Sequence, residues 1–207
     1  MERKQPRIMI AAVGSGCGKT TITCGLLRAW QKQGMKLKAW KCGPDYIDPM
    51  FHKHVLGIAG GNLDSYFVGE EQLNRQLEEE SRGCGLAVAE GVMGFYDGMG
   101  GTSTWASSYE VAAMTRTPVV LLGKGCSLSV AAVLRGFLQF RENHQIAGVI
   151  LNRTAAGMAE RLRPFIEAEG VPLLGNVPDC ADMALESRHL GLVMPGEVGQ
   201  IQEKIDR

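Results

Sequence analysis

The chain has 207 residues, 45% hydrophobic and 21% charged, with 22 lysines and arginines balanced by 22 aspartates and glutamates. That length and apolar content suffice for one domain with a full core. Zero formal charge excludes a nucleic-acid or membrane-surface protein driven by bulk electrostatics, and no apolar run reaches the ~18 residues of a membrane span.

In chain order, short apolar strands alternate with amphipathic helical stretches. RIMIAAV (7–13) reads as a buried strand, and KTTITCGLLRAWQKQG (19–34) as a helix closed by Gly34. KLKAWKC (36–42), LAVAE (86–90), PVVLLG (118–123), IAGVILN (146–152) and VPLLGNVP (171–178) read as further strands. TWASSYEVAAMTR (104–116), SLSVAAVLRGFLQFRENH (127–144) and AGMAERLRPFIEAEG (156–170) read as helices. Strands that are continuously apolar and separated by helices predict an α/β, doubly wound, mostly parallel sheet covered on both faces. Ligands of such sheets bind beyond the carboxyl ends of the strands, so the residues after each strand carry the functional information.

Two compositional features agree. Glycine supplies 27 of the 207 residues, against roughly 7% on average, and it clusters at strand ends where backbone can approach a ligand. Cysteines 17, 24, 42, 84, 126 and 180 include no C-x-x-C pair, which fits reduced thiols of a cytoplasmic protein. The charged start MERKQPR runs into a strand without a signal-peptide pattern.

After the first strand comes AAVGSGCGKTT, with Gly14, Ser15, Gly16, Cys17, Gly18, Lys19, Thr20 and Thr21 opening the first helix. A glycine-rich loop between strand and helix, closed by Gly-Lys-Thr, is a P-loop: backbone N–H groups cradle phosphates, Lys19 reaches the β/γ-phosphates and the Thr20 hydroxyl serves Mg²⁺. The motif departs from its usual form in having Ala12 and Val13 where an earlier glycine is expected.

Glu90 closes the apolar strand LAVAE, a costly place for a carboxylate unless it is paired or bound to metal; beside the P-loop it suits Mg²⁺ or its water shell. Asp97 lies further out, as a turn former or a site residue. The second strand runs into KCGPDYIDPMFH, in which Lys41, Asp45 and Asp48 face the same cleft. Taken singly, Asp48 before Pro49 reads as a helix N-cap and Asp45 as a turn former. His52 and His54, two apart on a helix, point to different faces and read as surface residues rather than a metal pair.

The ordered motifs GSGCGKTT, KCGPDYIDPMFH, NLDSYF, EGVMGFYDG and RHLGLV resemble the N-terminal synthetase domain of the cobyrinic acid a,c-diamide synthases, P-loop proteins similar to the dethiobiotin synthetases. The resemblance covers residues 7–195. It implies a dethiobiotin synthetase-like P-loop fold and ATP-dependent amidation of the a and c carboxylates of a corrinoid through an acyl phosphate, with ATP and Mg²⁺ as cofactors. It assigns catalytic roles to Lys19, Lys41, Asp45, Asp48 and Glu90, and metal binding to Thr20, Asp64 and Glu90. Asp45, Tyr46, Asp48 and Asp97 would contact the polycarboxylate substrate, and Asn152 the nucleotide base. Residues 1–195 would be the synthetase domain and 196–207 the lead into a glutamine amidotransferase half, with a homodimer as the common assembly of such folds. In this resemblance Lys124 stands where relatives tend to carry an acidic residue. The motifs leave hydrogenobyrinic acid and nickel-sirohydrochlorin open as substrates. A partition-type switch ATPase remains a rival, although its additional early-loop lysine is missing between Gly14 and Gly18.

Overall fold

The computed structural model describes residues 5–180, apart from 46 and 126, together with 203 and 205. Tyr46, the RHLGLV stretch and the expected boundary at 195 lie outside the described residues.

Seven strands form one sheet: β1 Arg7–Ala12, β2 Leu37–Cys42, β3 Gly60–Leu63, β4 Leu86–Glu90, β5 Val119–Lys124, β6 Ile146–Asn152 and β7 Leu173–Val177. Their spatial order is β3-β2-β4-β1-β5-β6-β7, and every described pairing is parallel. Six helices make the crossovers: α1 Lys19–Lys32, α2 Ile47–Leu56, α3 Glu70–Glu80, α4 Ser108–Thr115, α5 Ser129–Phe140 and α6 Ala156–Glu167.

The central strands are apolar along their length because both faces are covered. On one face Ile10, Ala39 and Val88 pack with Ile22 and Leu27 of α1 and Phe51 and Val55 of α2. On the other, Met9, Trp40 and Leu121 meet Leu73 and Leu77 of α3, Val111 of α4, Leu134 of α5 and Leu162 and Ile166 of α6. No described helix is long and apolar enough to cross a membrane.

The six expected strands form where the apolar runs lie, and β4 and β6 keep the expected bounds. β3 and α3 are additions. GGNL lacks the β-branched residues of an ordinary strand, yet it pairs with β2 from Ala39↔Gly60 to Cys42↔Leu63. In α3, EEQLNRQLEEE, the buried residues Leu73 and Leu77 are four apart on one face, and the remainder is polar. The sheet places the ends of β1, β2, β4 and β6 along one edge, and there the candidate site is built.

Candidate functional site

The phosphate loop leaves β1 at Ala12 and enters α1 through Gly18, which holds a left-handed φ of 83° and leaves the helix N-terminus without a side-chain cap. Free first-turn N–H groups at the positive end of a helix suit a phosphate. Val13 does not disturb the loop, because its N–H extends the strand by donating to the Leu122 carbonyl at 3.2 Å. Asn152, at the end of β6, donates its amide to the Cys17 carbonyl at 2.8 Å and accepts from the Arg153 N–H at 2.9 Å. A Cβ on Gly18 would lie 2.4 Å from that amide nitrogen, so glycine there admits the Asn152 brace. Asn152 therefore shapes the loop that holds the phosphates.

Lys19 extends over the loop, donating to the Gly14 carbonyl at 3.4 Å and to the carbonyl of Met93. Burial, followed by the repulsion of Lys41, lowers the pKa of its ammonium. A partly desolvated cation at the mouth of a phosphate loop, held only by backbone carbonyls among the described residues, favours an arriving anion.

Behind it lies a buried charge cluster set by strand register. Lys41 of β2 is the lateral partner of Glu90 of β4. Their side chains meet with Lys41 Nζ 3.0 Å from Glu90 Oε1, and Nζ also lies 2.5 Å from Asp48 Oδ2 at the start of α2. Thr20 Oγ1 donates to the same Glu90 oxygen at 2.6 Å. Lys41, Asp48 and Glu90 are all buried. Burial alone would drive the Lys41 ammonium towards neutrality, but Glu90 and Asp48 outweigh it and hold its pKa above the usual lysine value. Burial pushes the Glu90 carboxyl upwards, and Lys41 offsets part of that. A buried charge pair of this kind is weak evidence for stability and stronger evidence for a positioned functional group.

The two aspartates of the second loop divide their roles differently from the expectation. The Asp48 N–H donates to Asp45 Oδ1 at 3.3 Å, so Asp45, three residues earlier, takes the capping role. Asp48, inside α2, is the buried partner of Lys41. Asp45 also stands 3.9 Å from Lys41 Nζ, and its backbone carbonyl is held by the Asn62 amide at 2.7 Å.

His52 is a correction: it is not a surface residue. It is 1% exposed, with Nε2 3.7 Å from Glu90 Oε2, whereas His54 faces solvent. Asp48 and His52 are four apart on one helical face, which turns both inward. Burial holds the imidazole neutral, its pKa lowered to about 4.

Asp97 closes a local turn, Oδ2 accepting the Gly94 N–H at 2.9 Å, and its charge acts on Lys19. Asp64, at the end of β3, accepts the Tyr66 N–H on Oδ1 at 2.9 Å. Its Oδ2 and Glu90 Oε2 are buried without a hydrogen-bond partner among the described residues. Carboxylate oxygens and a hydroxyl are the donor chemistry that suits Mg²⁺, and of these Glu90 and Thr20 are in contact. Among the described residues no group of three or more His, Cys, Asp or Glu is gathered for a metal.

The chain resembles known proteins over nearly its whole length. The model of the CobQ/CobB/MinD/ParA nucleotide binding domain matches residues 8–193. The hydrogenobyrinate a,c-diamide synthase of Streptomyces coelicolor is 44% identical over 94% of this chain and 40% of its own length. The cobyrinate a,c-diamide synthase of Salmonella typhimurium is 42% identical over 95% of this chain and 44% of its own. The chain thus spans less than half the length of the curated relatives it matches. Among solved structures, the MinD cell division protein of Aquifex aeolicus superposes with a TM-score of 0.60 at 16% identity, covering 97% of this chain and 94% of that one. That likeness shows a shared α/β P-loop fold. With the phosphate loop, the strand order and the matched residues in agreement, the chain belongs to the CobQ/CobB/MinD/ParA family of nucleotide-binding domains.

Proposed function

We propose that this chain activates carboxylates of a tetrapyrrole, of the cobyrinic acid kind, by phosphoryl transfer from ATP, so that ammonia displaces the phosphate and leaves an amide. The observation that carries the reading is the Lys41–Asp48–Glu90 cluster, buried beside the phosphate loop and touching it through Thr20. A switch ATPase needs the loop; a buried cation held between two carboxylates on the substrate side suits an enzyme that steadies a phosphoryl group in flight. The diamide synthases among the relatives support the same chemistry.

In this reading α1 and its loop bind the phosphates, and Lys19 leaves the Met93 carbonyl for the transferring group. Lys41, kept charged by its neighbours, sets a positive potential where the acyl phosphate forms. Asp45 and Asp48 order the loop that meets the substrate carboxylate, and Asp97 flanks it. Asn152 keeps the loop in shape, within reach of the base. Thr20, Asp64 and Glu90 would hold Mg²⁺, which would neutralise phosphate charge. The ammonia would come from a glutamine amidotransferase partner, in the cytoplasm.

Single-turnover ATP hydrolysis with added ammonium ion tests the reading, following phosphate release and the mass of the corrinoid. A burst that requires cobyrinic or hydrogenobyrinic acid, with conversion of carboxylate to amide, is the expected result. Hydrolysis indifferent to either acid, with no amide formed, would overturn the reading in favour of a switch ATPase.

A further inference from the structure

A cleft of about 430 Å³ opens beside the phosphate loop, lined by Gly43, Pro44, Asp64, Tyr66, Phe67 and Met99 among others. Its walls are the connections after β2, β3 and β4. The floor belongs to the machinery already described: Pro44 leads into Asp45, and Met93, also in the lining, offers its carbonyl to Lys19.

The cleft's rim is unusually apolar for open surface. Tyr66, Phe67, Met93, Met99 and Trp105 lie together around it, each between 43% and 72% exposed. Tyr66 packs against Trp105 with ring centroids 4.9 Å apart and against Phe67 edge-on at the same separation. An exposed apolar patch of this kind marks a binding surface.

The rim is also built rigidly from behind. One carboxylate oxygen, Glu110 Oε2, accepts the Ser65 hydroxyl at 2.6 Å and the Ala106 N–H at 2.7 Å, tying the β3 connection to the β4 connection. Gly98 and Met99 donate to the carbonyls of Ser103 and Trp105 at 2.9 and 2.8 Å. A Cβ on Gly98 would lie 2.1 Å from the Trp105 carbonyl oxygen, so this tight loop requires glycine. The backbone that carries the rim is therefore fixed before any ligand arrives.

We propose that this cleft receives the flat face of the tetrapyrrole substrate, with Tyr66, Phe67 and Met99 against the macrocycle and its rim carboxylates directed over Pro44 towards Asp45 and Lys19. Aromatic rings stack on an extended π system, and methionine adapts to its irregular outline. The proposal rests on tetrapyrrole amidation being the reaction. A covering protein domain would shut the cleft floor that the reacting carboxylate must reach, whereas a ring bound at its edge leaves that floor open.

The test is equilibrium dialysis of cobyrinic acid, and in parallel hydrogenobyrinic acid, against this chain saturated with a non-hydrolysable ATP analogue. Phe67→Ser and Met99→Ser are suitable variants, because both side chains are solvent-exposed and neither supports the core. Each is expected to weaken corrinoid binding by about tenfold while the ATP-analogue Kd stays within about twofold, and Tyr66→Phe is expected to keep corrinoid affinity. If the unaltered chain binds and both serine variants bind equally well, the cleft assignment falls and the amidation reading stands; the patch then belongs to a protein contact. If the unaltered chain binds neither corrinoid, both fall together.

Discussion

His52 has two buried ring nitrogens without a hydrogen-bond partner among the described residues; its Nε2 faces Glu90, and Asp48, Lys41 and Asp45 flank the ring. Its pKa falls from the ordinary 6.5 to about 4 because burial disfavours the imidazolium. Between those values the unfolded chain binds the proton and the folded chain does not, so stability falls as pH is lowered through that window. The full effect is about 3 kcal/mol at most. The Glu90 carboxyl, raised by burial, runs the opposite way and favours the fold on the acid side. Comparison with His52→Asn separates the two. Urea melts at pH values from about 4 to 6.5 should show the variant with a flatter pH slope; equal slopes would mean that the histidine is not held neutral. The signal for its burial was present in the spacing of Asp48 and His52, four apart on a face that also presents Phe51 and Val55 to the core. Reading His52 against His54 compared the wrong pair. The exchange of roles between Asp45 and Asp48 was less legible, because either aspartate can cap a helix and the choice depends on where Lys41 points.

Among the connecting elements, the phosphate loop and the β4 connection lean on each other. A Cβ on Gly94 would lie 2.5 Å from Asp97 Oδ2 and 3.3 Å from the Gly14 Cα. Gly94→Ala must therefore break the turn that Asp97 closes or push the phosphate loop aside. ATP affinity measured by calorimetry is expected to fall about tenfold, or about 1.4 kcal/mol, in a protein that still folds. Unchanged affinity would show that the two loops are independent. The residue types at this end of the sheet were readable from the chain: the Gly-Lys-Thr turn, the lysine ending one strand and the glutamate ending another, which the structure brings into contact through Glu90. Their register, Lys41 beside Glu90, was not, since nothing local says which strands are neighbours. β3 escaped notice because its residues favour a strand only once β2 offers an edge, and α3 because two leucines in eleven residues are a faint stripe. The Tyr66, Phe67 and Trp105 cluster is assembled from separate loops, so no single stretch announced it.

For the whole molecule, nucleotide binding and folding should be linked, because the site is made from the ends of several strands and does not exist in the unfolded chain. A non-hydrolysable ATP analogue at about 100 times its Kd should add about 2.7 kcal/mol, raising Tm by about 5–10 °C in a protein of this size. Lys19→Met should fold normally and lose most of that rise in a thermal melt. A full rise in the variant would remove Lys19 from the phosphate site. The strand order has one more consequence. β1 lies at the centre of the sheet, yet its partners come late: Arg7 waits for Ala87 and Met9 for Val119. At synthesis rates of roughly 5–20 residues per second, a ribosome exposes this apolar strand for several seconds before either neighbour emerges. The strand that anchors the phosphate loop is thus also the one a nascent chain most needs shielded, by the tunnel or by a chaperone.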